Sequence, residues 1–317
     1  DLQGNIWRWD VTDRDPTKWT LSANQPLFTT PNNQPITAGI TVGTFKAIKI
    51  STVSGQVLDN SLPERVIVGF GTGQQIPQSL TNAAQYASGQ QYLFGIWDWN
   101  FSGWNNTLKA LPQAVIATGS AVPSSITMSL LKAQTITTVT PASGLAYRTV
   151  TNSSFCYAAI GPADTFNCST PGIYFGWSIA LPATMEQTIF SPSLSPDGQF
   201  VVNTYIPAQD SPLSCNTASA STGFTMGVTA DTGGGQNSGT STNPTGYFKI
   251  STTTGSVGAD GVQLNGTGIP MFLSSGQKAD NNTEYLITQT SSGAATPIGT
   301  NRHVIVTGKR VNWVQRR

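Results

Sequence analysis

Two short runs, Arg65-Val-Ile-Val-Gly-Phe-Gly-Thr-Gly73 and Gln91-Tyr-Leu-Phe-Gly-Ile-Trp-Asp-Trp99, constrain what this chain can fold into more than any other feature of it. Each is rich in β-branched and aromatic residues, each is too short for a helix, and Gly, Pro, Ser and Asn fill the space between. They read as neighbouring antiparallel strands joined by a long polar excursion. Gly69, Gly71 and Gly73 mark the expected end of the first strand. Glycines that open onto a helix N-terminus can cradle phosphate, but here no Lys follows, Pro77 interrupts, and no helical periodicity appears downstream. The pattern is that of an all-β protein.

The remaining strand candidates fit the same class. Asp1 to Val11 reads as a tight turn at Gly4-Asn5 followed by an alternating strand, with Ile6, the Trp rings and Val11 available for packing. A Gly-Asn turn normally joins two strands, so a strand is expected before residue 1 and the sequence is expected to be part of a longer protein. Further strands are expected at Ile36 to Val42, Phe45 to Ile50 and Val66 to Phe70, with turn chemistry at Ser54-Gly55 and Asn60 to Pro63. Residues 100–172 are rich in Ser, Thr and Ala, with short strands expected near Ala114 to Ala117, Ser129 to Val139 and Tyr147 to Val150. Beyond them, strands are expected at Tyr174 to Leu181, Glu186 to Phe190, Gln199 to Ile206, Phe224 to Asp231, Met271 to Leu273, Tyr285 to Gln289 and Val304 to Val306.

A Val/Ile strand, a polar loop and an aromatic strand ending in Asp recur at Val66 to Asp98 and Val201 to Asp231, and Ile6 to Asp10 is the second half of another copy. Repeated meanders of three or four strands without helices are the sequence form of a β-propeller. The expected fold is therefore all-β: a partial propeller of four-stranded antiparallel blades over residues 1–317, with a variable insertion at about 100–172.

Composition narrows the function classes. Only 10% of the 317 residues are charged, while 8 Trp, 8 Tyr and 13 Phe supply a core. This is the make-up of a secreted or surface protein with long polar loops. A formal net charge of +1 gives no basic surface for counterion release, which argues against nucleic acid. No apolar run is long enough to cross a bilayer as a helix.

The motifs resemble those of the PilC/PilY family of bacterial type IV pilus tip adhesins. In that family a strand ending Phe-Gly-Thr-Gly leads through a variable loop to a strand carrying Tyr-Gly-Ile-Trp-Asp. Here the residues are Phe70 to Gly73 and Phe94 to Asp98, with an aromatic ring kept at Phe94. Asp1 to Asp10 resembles the family's Gly-Asp-Leu-x-Gly-Asn-Leu-Trp-Arg-Phe-Asp motif, and Gly176-Trp177 through Leu181-Pro182 its Gly-Trp-x-x-x-Leu-Pro strand. The loop before Cys215 resembles its Pro-x-x-Asp-Pro-Cys loop, and Lys309 to Trp313 its Arg-Arg-hydrophobic-Ser-Trp-Arg terminus. The likeness covers Asp1 to Trp99 and Ile173 to Arg317 and is weakest between them.

The resemblance implies a C-terminal propeller carried at the pilus tip on the bacterial cell surface, exported through the periplasm. It implies a role in attachment and in pilus extension and retraction. The implied partners are minor pilins, an N-terminal adhesin domain of the same protein, and a host or abiotic surface. The family's acidic calcium loop would lie upstream of Asp1.

Candidate chemistry within the chain is sparse. The only histidine, His303, opens a strand, and no Gly-x-Ser-x-Gly elbow precedes a helix, so no nucleophilic triad is expected. Paired carboxylates drawn from Glu64, Asp98, Glu186, Asp197 and Asp231 are the alternative, although most occupy turn or strand-end positions where Asp serves the backbone. A non-enzymatic protein is the expectation, with a quinoprotein-like or sugar-active propeller, or a lectin-like module, as the competing readings. Asp280, Asn282 and Glu284 have the alternate spacing of oxygen ligands for calcium, and Asp13 with Asp15 is a weaker version.

Of the three cysteines, Cys156 and Cys168 flank a short loop containing Gly, Pro and Asn that suits a disulfide; Cys215 would then be free or paired outside the chain. Asn105, Asn152, Asn167 and Asn265 match the glycosylation pattern expected by chance in so Asn- and Ser-rich a chain. Trp7, Trp97 and Trp177 are expected to pack between blades, while Trp99 and Trp104 are left open between packing and sugar stacking.

Overall fold

The computed structural model describes residues 1–11, 13–21, 25–45, 48–51, 55–58, 65–77, 79, 81–98, 125–142, 145–153, 155, 157, 174–195, 198–208, 221–236, 246–252, 255–263, 272–277, 283–289, 295–301 and 309–310. These residues form strands and turns, with 3-10 segments such as Pro31–Asn33 and Met128–Leu130 between them. Three large sheets carry the fold, two of six strands and one of five, and none closes on itself among the described residues.

The first sheet is built on the two runs that dominate the sequence. Tyr92–Asp98 lies at its centre, antiparallel to Arg65–Gly71 from Leu93↔Gly71 to Asp98↔Val66. Its other edge pairs with Gly176–Ala180, and Thr41–Phe45 extends the meander beyond Arg65–Gly71. Lys132–Gln134 adds a parallel strand at one side, and Lys309–Arg310 closes the other. Both central strands are buried on both faces, which explains why they read as near-continuous apolar runs.

After a single residue, Thr135, the chain passes from Lys132–Gln134 into Ile136–Val139, which belongs to the second sheet. There the order runs Ile136–Val139, Tyr147–Val150, Gly261–Gln263, Phe224–Thr229, Gln199–Asn203, Ser193–Leu194, antiparallel throughout. The segment between the two islands of family likeness therefore supplies strands to both sheets. The third sheet comprises Gly255–Ala259, Phe248–Thr252, Ala295–Asn301, Thr283–Gln289 and Phe272–Gln277, again antiparallel.

The first two sheets share one apolar core. Phe28, Phe70 and Phe94 form a triangle with ring centroids 5.0 to 6.1 Å apart, Trp97 stacks on Phe175 at 5.7 Å, and Trp177 meets Phe200 edge-on at 5.6 Å. All these rings are almost wholly buried. At roughly 1.5–3 kcal/mol for each large apolar side chain, they dominate the cohesion between the sheets. Val201, Tyr247, Phe248 and Val262 form a second cluster at the contact with the third sheet.

Glycine sets how closely the first two sheets approach. A Cβ on Gly69 would come within 2.7 Å of the Phe200 ring of the second sheet; within the first sheet, one on Gly95 would come within 2.3 Å of the indole of Trp177, its cross-strand partner. Gly69 and Gly71 therefore do not end the strand, as the sequence suggested; they let it continue to Gly71 beneath its neighbours.

Other boundaries also move. Ile36 forms only an isolated bridge to Gly73 and the strand starts at Thr41, because the intervening chain turns outward and leaves Ile40 49% exposed. The strand expected over Glu186 to Phe190 reduces to one bridge, Gln187↔Tyr205, because Glu186 is drawn into a buried ion pair. Tyr147–Val150 falls where it was expected. The strands expected at Ala114 to Ala117 and Val304 to Val306 lie outside the described residues.

Candidate functional site

Of the seven large apolar side chains exposed among the described residues, five, Leu2, Trp7, Trp9, Val11 and Trp19, lie in the first 21 residues. Gly4, at φ +76, makes the tight turn, and Asn5–Ile6 pairs with Phe28–Thr29. The chain then runs outward as a two-stranded ribbon in which Trp9–Asp10 pairs with Thr20–Leu21. In that register Trp9 lies opposite Leu21 and Asp10 opposite Thr20.

The ribbon keeps its aromatic rings outside. Trp7, Trp9 and Trp19 are 45%, 58% and 45% exposed, and Val11 is exposed as well. Trp7 therefore does not pack between sheets: Arg8 takes the inward position at that point of the alternation, which leaves the residues flanking it outside. Trp97 and Trp177 do pack, at 0% exposure.

Hydrogen bonds orient two of the exposed indoles. The carboxylate of Asp1 accepts the backbone N–H groups of Gln3 and Asn5 at 2.9 and 2.8 Å, and the Trp7 indole N–H at 2.8 Å. The Trp19 indole N–H donates to the Asp13 carbonyl at 2.8 Å. Asp13 and Asp15 serve turns: Asp13 accepts the Asp15 N–H, and Asp15 accepts the Thr17 N–H and hydroxyl, which lower the Asp15 pKa.

Arg8 ties the ribbon to the body. It forms an ion pair with Asp98 at the end of the central strand of the first sheet, and both side chains are largely buried. Burial pushes the Asp98 carboxyl up to about 6, against the lowering by the Arg8 charge and hydrogen bond.

The other described carboxylates proposed as a catalytic pair are likewise engaged in the interior. Glu186 receives both terminal nitrogens of Arg148. Asp231 is buried near Tyr157, whose hydroxyl donates to the Asp231 carbonyl. Burial raises the Asp231 carboxyl although the N–H groups of Asp231 and Thr232 and the Thr229 hydroxyl stabilise its charge. Burial also raises the Tyr157 phenol, assisted by Asp231 and opposed by Arg65. The Arg65 guanidinium lies 5.0 Å from the Trp97 ring centre and 5.2 Å from that of Tyr157. A cavity of about 20 Å³ between the first two sheets, space for about one water, touches Asp231 as its sole carboxylate.

Several residues singled out in the sequence lie outside the described residues: Glu64, Trp99, Trp104, Cys156, Cys168, Asp197, Cys215, Asp280, Asn282 and His303. Of Glu284 only the backbone is described, within the strand Thr283–Gln289. No group of three metal-ligating side chains occurs among the described residues.

Sequence reasoning passed over Arg8, Arg65, Arg148 and Asp260, all of which are buried or nearly so. Asp260 accepts the backbone N–H groups of Val150 and Gln236 at 2.8 and 3.1 Å, and burial pushes it up to about 6 despite these bonds and one from Tyr247. A signal was present: in a chain with so few charges, an Arg inside a strand such as Tyr147–Val150 has to find a partner within the fold.

No family model matches the chain, and no curated protein matches it. Among solved structures, the crystal structure of the C-terminal domain of PilY1 from Pseudomonas aeruginosa is similar, with a TM-score of 0.52 and 18% identity. The match covers 95% of this chain and 56% of that one, so this chain spans a little over half the length of the structure it resembles. The likeness shows a PilY1-like fold, in agreement with the family whose motifs the strands at Phe70, Trp97 and Trp177 resemble.

Proposed function

We propose that this chain is a non-enzymatic part of a type IV pilus tip protein, acting in surface attachment and in pilus extension and retraction. The observation that carries the reading is that the motif residues Phe70 to Gly73, Phe94 to Asp98 and Trp177 come together in one meander of a PilY1-like fold. In this reading the stacked sheets are blades of a propeller. Minor pilins and an N-terminal adhesin domain are its partners, and it works outside the cell. The absence of a catalytic role is supported by the engagement of Asp98 with Arg8 and of Glu186 with Arg148 inside the fold.

The test is deletion of the gene in its own host, followed by complementation. Loss of surface pili, twitching and attachment, all restored by the intact gene, is the expected outcome. A deletion strain that is normally piliated, motile and adherent would overturn the proposal.

A further inference from the structure

At two places the chain passes from one large sheet to another through a single residue. Thr135 links the first sheet to the second, and Asp260 links Gly255–Ala259 of the third sheet to Gly261–Gln263 of the second. The two links differ in chemistry. Thr135 is exposed and cannot ionise, whereas Asp260 is an acid with 3% exposure.

Every polar group of Asp260 bonds across its junction. Its N–H donates to the Arg148 carbonyl and its carbonyl accepts the Gly227 N–H, both at 2.8 Å and both in the second sheet. The carboxylate accepts the N–H groups of Val150 in the second sheet, of Gln236, and of Tyr247, the residue before the third-sheet strand Phe248–Thr252. One side chain therefore holds the start of the third sheet against the second.

Apolar contact at this junction is smaller than elsewhere. The first two sheets share the large aromatic core, whereas among the described residues the second and third meet in Val201, Tyr247, Phe248 and Val262, with Ile250 beside them. Parts of a fold with little buried apolar contact open separately from the rest, so the third sheet is placed to part from the second as a unit.

The charges nearby are turned elsewhere. Arg148, on the strand that holds Val150, directs its guanidinium to Glu186, Lys249 is exposed, and Tyr247 meets Asp260 through its backbone. A carboxylate taken out of water with no cation beside it favours its protonated form.

We propose that Asp260 makes the link between the second and third sheets a joint that acidification tightens. In the closed joint burial pushes the carboxyl up to about 6; when the joint opens, water reaches the group and it returns to about 4. Between those values the closed form binds more protons than the open one, so lowering the pH favours closure and neutral pH favours opening. This inference does not depend on the pilus-associated reading: the joint is tested on the purified chain, and the pilus role in cells.

The experiment is native-state amide hydrogen exchange on the full chain at pH 5 and pH 7, with each rate divided by the intrinsic rate of that amide. Amides of Phe248–Thr252 and Thr283–Gln289 should share one opening, less protected than Tyr92–Asp98, and their protection should be about tenfold higher at pH 5. In D260N that pH response should vanish. D98N removes the other carboxyl that burial pushes up to about 6, and the third-sheet response should persist in it, which decides the matter if D260N does not fold. Third-sheet amides as protected as Tyr92–Asp98, or a protection independent of pH, would overturn the proposal. A response retained in D260N or lost in D98N would overturn it as well.

Discussion

The guanidinium of Arg148 meets the carboxylate of Glu186 through two parallel hydrogen bonds of 2.5 and 2.8 Å, with 1% or less of either side chain in contact with water. The pair joins the strand Tyr147–Val150 of the second sheet to the loop that leaves the first sheet after Ala180. The Thr138 hydroxyl, the Met226 sulfur at 3.9 Å and the Phe224 ring, whose centre is 3.5 Å from the guanidinium carbon, also touch Arg148. The Ala183 N–H donates to Glu186.

Removing one member of this pair strands a buried charge, which costs more than the pair itself contributes. E186Q and R148M should each destabilise the fold by about 3–5 kcal/mol. The double variant R148M/E186L should recover a large part of that loss. Urea unfolding of all three measures it, and single-variant losses below 1 kcal/mol would show that the pair is not sealed from water.

Stability should rise on mild acidification. Burial pushes both Asp98 and Asp260 up to about 6, whereas an unfolded Asp titrates near 4. Between those values the folded chain binds more protons than the unfolded one, so each carboxyl weakens the fold at neutral pH and the loss is relieved as pH falls through 6. From pH 7 to pH 5 the gain should be about 1 kcal/mol for each group. In D260N the gain from that residue disappears, and denaturant unfolding at the two pH values should show a flatter profile. A wild-type stability that falls between pH 7 and pH 5 would contradict the assignment.

Gly95 and Gly89 should respond to alanine for different reasons. A Cβ at Gly95 drives into the fixed Trp177 indole, so G95A should cost about 1–3 kcal/mol through overpacking. Gly89 has open space around it but a φ of +73, so G89A should cost only about 1 kcal/mol, from backbone strain. The added variant W177F separates the two: it should soften the G95A penalty and leave that of G89A unchanged, as thermal unfolding would record.

These relationships mark how far the sequence could be read. The pairing of Arg65–Gly71 with Tyr92–Asp98 was legible, because runs buried on both faces show as unbroken apolar stretches. The strand expected at Glu186 was not, because its fate is set by Arg148, 38 residues earlier and on another sheet. Gly69 and Gly71 gave the signal of a strand end, yet the close approach of Phe200 and Thr188 gives them a different purpose. At the candidate site the sequence suggested that Trp7 packs between blades, whereas it is 45% exposed and the neighbouring Arg8 points inward. The reason is Asp98, which draws Arg8 inward. A partner so distant in the chain leaves no local trace.

The same ion pair should govern how firmly the ribbon is held. Trp7, Trp9, Val11 and the residues from Arg14 to Trp19 are exposed, Arg8, Asp13 and Leu21 are half-buried, and the Arg8 side chain is only 11% exposed. Little apolar burial opposes local opening here, so the ribbon belongs to the least stable part of the fold. R8M removes the charge that Asp98 faces. Amide hydrogen exchange at Trp9, Asp10, Thr20 and Leu21 should then quicken, while exchange across Tyr92–Asp98 keeps its wild-type rate because that strand is paired on both sides. Equal acceleration in both places would mean that Arg8 supports the whole first sheet, and no change in either would mean that other contacts hold the ribbon.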